Sequence, residues 1–253
     1  MKKEETQFLL KKFNTSYLYS FKKKKTFFKI KKYIFNPLLI LQRIKFEFLK
    51  PNIEVDWTKL TKTCRTSAVF GWKYSKAEYN KINNIHKKIL YKVLKSKIKK
   101  NYKILDLGCG TGRFSDYFTK NFKAKYFGID NSLSMLKFTK NKKNQEFIHL
   151  ENFLDNKKYT KFFDVIFIFS VLGGIPNKKL NDTKQIIYKT IKNNGFLFFV
   201  EIVKETTLEG AWRYRTINFY KTLFKEFQIN SNFYFLQDND DYRIFFGKKF
   251  SNT

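Results

Sequence analysis

The stretch ILDLGCGTGRFS sets one acidic side chain, Asp106, ahead of three glycines at alternate positions, Gly108, Gly110 and Gly112. An apolar run precedes it and a helical pattern follows, so the glycines fall in a strand-to-helix turn. That turn lies at the carboxyl end of a strand, where open α/β sheets bind ligands. Glycines there let the backbone approach a ligand closely and adopt positive φ. An acid at the entrance favours a ligand carrying positive charge and repels a phosphate. Further on, YFGIDNS puts Asp130, with Asn131 beside it, at the end of the next strand, where a carboxylate can accept both hydrogens of a sugar diol. FIHLENF puts Glu151 and Asn152 just past a third strand, and FFDVIFIFSVL ends a fourth at Ser170.

The elements that must position these residues follow from hydrophobic periodicity. Apolar positions Tyr79, Ile82, Ile85, Ile89 and Val93 predict an amphipathic helix running toward Asn101. From Tyr102 onward short apolar runs alternate with helical segments, the pattern of a parallel sheet covered on both faces. Strands are expected over 103–107, 125–129, 146–150, 163–170 and 196–203, and helices over 114–121, 133–141 and 181–192. FYKTLFKEF reads as a further helix, and the alternating runs near 227–236 and 242–250 as a closing antiparallel pair. Gly195 is expected to stop the helix before the fifth strand.

Taken together, these motifs resemble class I S-adenosylmethionine-dependent methyltransferases over roughly residues 79–250. The resemblance implies an α/β, Rossmann-like doubly wound fold: a mostly parallel seven-stranded sheet with an antiparallel carboxyl-terminal strand pair. It implies S-adenosyl-L-methionine as cofactor; no metal is expected, because Cys64 and Cys109 are far apart and match no metal-ligand cluster. It assigns the cofactor to Asp106, Gly108, Cys109, Gly110, Gly112, Asp130, Asn131, Glu151, Asn152 and Ser170. In relatives the residue at Asp130 holds the ribose, those at Glu151 and Asn152 hold adenine, and Ser170 lies beside the methionine part. Cys109 is read as a space-filling residue. A nicotinamide dinucleotide fits less well. Its third fingerprint glycine would fall at Arg113, and Asp106 would face a pyrophosphate.

Composition sets the outer limits. With 253 residues, 43% of them apolar, one full-sized core is expected. Domains are expected at 1–60, a basic aromatic extension, and 61–253, the catalytic unit. The extension is expected to be helical, with Phe27, Ile30, Ile34, Leu38 and Leu41 at helical spacing and Pro37 as a kink, so that it could rest on a membrane surface. No apolar stretch approaches the roughly 18 residues of a spanning helix, and the expected location is the cytosol. The net charge of +31 suggests a polyanion partner, but only six of the 52 basic residues are arginine, which specific phosphate recognition favours. RNA is therefore the second acceptor class, behind a small molecule or saccharide, and a non-catalytic cofactor-binding relative is the remaining alternative.

No general base is assigned from the sequence. His149 reads as structural and Glu201 as an open candidate. Acceptor choice is expected from Phe70, Gly71, Trp72 and Tyr79, from the loop 172–177, and from GAWRYRTINFY. There Trp212, Arg213 and Arg215 either stack on and pair with an anionic or sugar substrate or pack the lid.

Overall fold

The computed structural model describes residues 4–12, 15–23, 56–65, 76–205, 212–237 and 240–250. In chain order its elements are β1 (Glu4–Lys12), β2 (Thr15–Lys23), α1 (Trp57–Cys64), α2 (Lys76–Leu94), β3 (Lys103–Leu107), α3 (Ser115–Asn121) and β4 (Lys125–Asp130). They continue with α4 (Leu133–Leu136), β5 (Gln145–His149), α5 (Leu150–Leu154), β6 (Phe163–Phe169), α6 (Asn177–Thr190), β7 (Ile191–Val203), α7 (Ile217–Leu223), β8 (Asn230–Gln237) and β9 (Asp240–Lys248).

Seven strands form the expected mixed sheet in the order β8-β9-β7-β6-β3-β4-β5, and the β1–β2 hairpin is added beyond β8. Strands β5, β4, β3, β6 and β7 run parallel, whereas β9 is antiparallel to both β7 and β8. Strands β3 and β6 are neighbours although their crossovers lead to opposite sides of the sheet. That is the switch point at which such sheets open a crevice.

Side-chain alternation divides the core into two layers. Ile104, Val165, Phe167, Phe198 and Val200 face α2 and α3, packing with Ile82, Ile89, Phe114 and Phe118. Leu105, Leu107, Ile166, Ile168, Leu197 and Phe199 face α6 and α7, packing with Ile187, Tyr220 and Phe224. Both layers are rich in rings: Phe118 alone lies within 6.5 Å of Phe114, Tyr117, Phe122, Tyr126 and Phe167, centroid to centroid.

Four expectations change. The amphipathic positions 27–41 lie outside the described residues, but the described part of the extension is a hairpin rather than a helix. The segment after Asn52, read as a linker, contains α1, started by Asp56, whose carboxylate accepts the Lys59 N–H at 3.0 Å. Helix α4 spans four residues where nine were expected: the chain leaves the helix after Leu136, and Asn141 Oδ1 takes the Phe147 N–H. Gly195 does not stop α6: Asn194 carries the positive φ of 63°, and Gly195 lies within β7. A Cβ at Gly195 would come within 2.6 Å of Ile191 Cγ1, so close packing accounts for the glycine. No helix of the described residues is long and apolar enough to cross a membrane.

Truncating the ring cluster at Phe118→Ala should destabilise the fold by about 3 to 5 kcal/mol, measured by urea unfolding. A loss below about 1 kcal/mol would contradict the packing described.

Candidate cofactor site at the glycine-rich turn

The cavity at the β3/β6 switch point has a volume of about 210 Å³ and is lined by Asp106, Gly108, Cys109, Gly110, Asp130, Asn131 and Ser170, among others. Seven of the ten residues singled out for the cofactor are thus brought together. The turn that holds them is built by backbone geometry. Gly108 has φ of 75°, and a Cβ there would lie 2.6 Å from both Val171 methyls, so the turn closes against the loop after β6 only with glycine in place. Its N–H and that of Cys109 both donate to Ile129 O on β4, at 2.8 and 3.0 Å. Cys109 is buried and lies over Gly128, where a Cβ would stand 2.9 Å from its sulfur. Burial pushes its thiol well above the ordinary range, which agrees with a space-filling role.

Asp106 is 2% exposed at the end of β3 and accepts one described hydrogen bond, from Tyr126 Oη at 2.5 Å. Burial raises its carboxyl to about 7, against the opposing pull of the Tyr126 bond and the Arg113 charge. Asp130 is fixed differently. Its Oδ2 accepts the Gly110 N–H and its Oδ1 the Ser132 N–H, both at 2.8 Å, so it ties the glycine turn to the start of α4. Burial raises it as well. Each of its oxygens has a second lone pair for a ligand. Ser170 has φ of 53°, and its buried Oγ has no partner among the described residues. Strain of that kind gathers at functional sites.

Three residues fall outside the cavity. Gly112 packs under Phe147, where a Cβ would lie 2.7 Å from the ring. Glu151 and Asn152 were expected to extend past the third strand toward adenine. Instead the chain turns into α5, where the i, i+3 spacing puts Leu150 in the cavity wall and Phe153 in the core. Glu151 and Asn152 therefore face solvent, and the Glu151 carboxylate lies 3.6 Å from His149 Nδ1.

The two candidate bases also have other roles. His149 Nε2 donates to Asn131 O at 3.1 Å, steadying the residue beside Asp130. Glu201, fully buried on β7, takes the Val171 and Leu172 N–H groups on Oε1, both at 2.7 Å, and is pushed up to about 7 by burial. Arg215, also fully buried, donates to Leu172 O, Ile175 O and Asn177 Oδ1. Glu201 and Arg215 together clamp the loop that follows β6. Of the other acceptor candidates, 66–75 lie outside the described residues, and Tyr79 is buried in α2.

Three residues of the site escaped the sequence reading. Trp57 lines the cavity from α1, and the Asp56 cap that announces the helix was the signal available. Arg113, noted only as an obstacle to a dinucleotide, is sandwiched over Phe114 and Phe169 at 4.3 and 4.4 Å. Its Nη1 donates to His86 Nδ1 at 3.3 Å, while His86 Nε2 donates to Gln237 at 2.8 Å. His86 occupies a buried position of α2 and is held well below its usual pKa by burial, so it stays neutral.

Comparison with known proteins agrees with this geometry. A family model described as a methyltransferase domain matches residues 98–245. A carboxy-S-adenosyl-L-methionine synthase from Campylobacter hominis is 32% identical over 120 residues, 43% of this chain and 48% of that protein. A malonyl-[acyl-carrier protein] O-methyltransferase from Bacillus anthracis is 27% identical over 62% of this chain and 60% of its own. The chain spans about half the length of the curated relatives it matches. A crystal structure of a SAM-dependent methyltransferase from Archaeoglobus fulgidus superposes with a TM-score of 0.52 at 14% identity, over 66% of this chain and 94% of that one.

The buried acid has a measurable cost in the ligand-free protein. Because the folded carboxyl titrates near 7 and its ordinary value is 3.8, the stability it contributes is complete below about pH 4 and is lost as pH rises through 7. Asp106→Asn should therefore melt at a higher temperature than the wild type at pH 8, with the gap narrowing toward pH 5, in a thermal-shift series. Glu201 titrates alike in both proteins and cancels in the comparison.

With a methyltransferase-domain match over more than half its length and the acidic glycine turn at the sheet's switch point, the chain belongs to the class I S-adenosylmethionine-dependent methyltransferase family.

Proposed function

We propose that this protein binds S-adenosyl-L-methionine in the switch-point cavity and catalyses in-line methyl transfer to an oxygen or nitrogen of a small molecule or saccharide. The observation that carries the reading is Asp106, a buried carboxylate set against a glycine turn, which suits a cation and opposes a phosphate. Asp106 takes the ligand's ammonium, and Asp130 takes the ribose diol with its remaining lone pairs. Ile129, Met135 and Leu150 supply apolar wall for the purine. Glu151 and Asn152 have no part in this assignment.

When bound, the cofactor supplies a methyl group already activated by a positively charged sulfur. The chain's own task is to position the acceptor and exclude water, effects that can supply about 7 to 11 kcal/mol of a barrier. The clamped loop after β6 is the element suited to that task, since Ser170, Val171 and Gly174 line the cavity from it. The arginines support a small acceptor over RNA. Arg213 and Arg215 are buried, Arg113 lines the cavity, and Arg243 is paired with Asp241 at 2.5 Å. Of the six arginines these four form no surface that could read a nucleic acid.

Calorimetric titration of S-adenosylmethionine and S-adenosylhomocysteine should show binding by the wild type, and binding about tenfold or more weaker in both Asp106→Ala and Asp130→Ala, as loss of a charged hydrogen bond implies. Failure of the folded wild type to bind either nucleoside would overturn the cofactor assignment. Turnover confined to RNA would overturn the acceptor class.

A further inference from the structure

A buried polar chain at the cofactor cavity has no part in the assignments above. Arg113 follows the glycine turn, and its guanidinium carbon lies 4.3 and 4.4 Å from the ring centres of Phe114 and Phe169. Both rings line the cavity, as does Arg113 itself. Phe169 shares a face of β6 with Phe167, the residue in register with Asp106 on β3. The guanidinium therefore stands at the end of the cavity that Asp106 occupies. The two groups act on each other electrostatically, yet no salt bridge joins them, and the one described hydrogen bond of Asp106 comes from Tyr126.

Distant elements hold the guanidinium in that place. Nη1 donates to His86 Nδ1 at 3.3 Å, and His86 Nε2 donates to Gln237 at 2.8 Å, with His86 0% and Gln237 2% exposed. The rings of Phe169, Phe235 and Tyr242 surround His86, so an apolar side chain there would pack with no polar group to satisfy. The polar chain that stands there instead orients one arginine. Charge indicates what that arginine faces. Among the described residues that line the cavity the cations are Arg113 and Lys179, and Lys179 is exposed on α6. A ligand that sets its ammonium on Asp106 and bears a carboxylate on the same carbon brings a second anion close to the acid, and Arg113 is the cation placed to offset it. When all groups are ionised, two carboxylates, Asp106 and Asp130, and one guanidinium leave the site one net negative charge. The ammonium, sulfonium and carboxylate of S-adenosylmethionine leave it one net positive charge.

We propose that Arg113 holds the carboxylate of the cofactor's amino-acid head while Asp106 holds its ammonium, so that the pair selects an α-amino-acid zwitterion and rejects nucleosides without the carboxylate. The planar guanidinium fork suits that group. Arg113 is in this account a specificity residue, and His86 and Gln237 are positioning residues that act through it. The assignment rests on the S-adenosylmethionine reading and deepens it.

Calorimetry on the full chain compares S-adenosylhomocysteine with its decarboxylated analogue and with methylthioadenosine, which lacks the amino-acid head. The wild type should bind S-adenosylhomocysteine about tenfold or more tighter than the decarboxylated analogue, the scale of a charge-assisted bond. Arg113→Gln should remove that preference by weakening S-adenosylhomocysteine, while methylthioadenosine binds as before and the decarboxylated analogue no more weakly. His86→Phe should narrow the preference in the same way and leave methylthioadenosine unchanged, whereas a merely structural role would weaken all three ligands alike. Equal binding of S-adenosylhomocysteine and its decarboxylated analogue by the wild type, a preference that survives Arg113→Gln, or equal weakening of all three ligands in that variant would each overturn the proposal. If Arg113→Gln does not fold, Arg113→Met, which keeps an apolar stem against Phe114 and Phe169, takes its place with the same expected outcome. Failure of the folded wild type to bind any of the three nucleosides would instead count against the S-adenosylmethionine reading.

Discussion

The structure is organised around a carboxylate kept out of water at the end of β3. Asp106 continues the face of the strand that carries Ile104, a position where an apolar side chain would extend the core without penalty. Placing an acid there requires a polar neighbour, and Tyr126, opposite Ile104 on β4, reaches it with its hydroxyl. One neutral hydrogen bond does not repay the loss of hydration of an ionised carboxylate, so burial raises the group to about 7. The rest of the site follows from that condition. The glycine turn removes side chains that would fill the space above Asp106, and Asp130 fastens the turn through the Gly110 N–H. The Arg113–His86–Gln237 chain holds a guanidinium near the acid, and burial keeps the histidine neutral.

A second buried carboxylate repeats the device for a different purpose. Glu201 accepts successive backbone N–H groups from the loop after β6, and Arg215 accounts for that loop's carbonyls. Between them they replace the hydrogen bonds that a regular element would have provided, so an irregular segment is held in place along the cavity wall. Gly173 and Gly174 allow Trp212 to lie directly on that segment.

Much of this could be read from the chain because it is written in local patterns. Apolar runs and alternation placed the strands β3 to β6, β8 and β9 within about three residues, whereas β7 begins at Ile191, ahead of the expected 196, and the spacing from Tyr79 to Val93 announced α2. Asp106, Gly108, Gly110 and Asp130, which line the switch-point cavity, stand out in the sequence because they follow apolar strand runs at the ends of neighbouring strands. What was missed depended on distant partners. Glu151 and Asn152 lie on α5 because Leu150 and Phe153 found apolar surroundings, which no local signal specifies. Glu201 looked like a free base until the loop's N–H groups were placed on it. Arg213 and Arg215 are alike in sequence, and only packing distinguishes the arginine that clamps a loop from the one left with an unpaired donor.

The central claim is that Asp106 waits protonated and ionises when its cationic ligand binds. The most direct measurement is calorimetry of S-adenosylhomocysteine binding at pH 6 in two buffers of different ionisation enthalpy, for the wild type and Asp106→Asn. The account predicts that wild-type binding releases close to one proton, seen as a buffer-dependent heat, and that whatever binding survives in Asp106→Asn shows no such release. Binding by the wild type with the same heat in both buffers would contradict it.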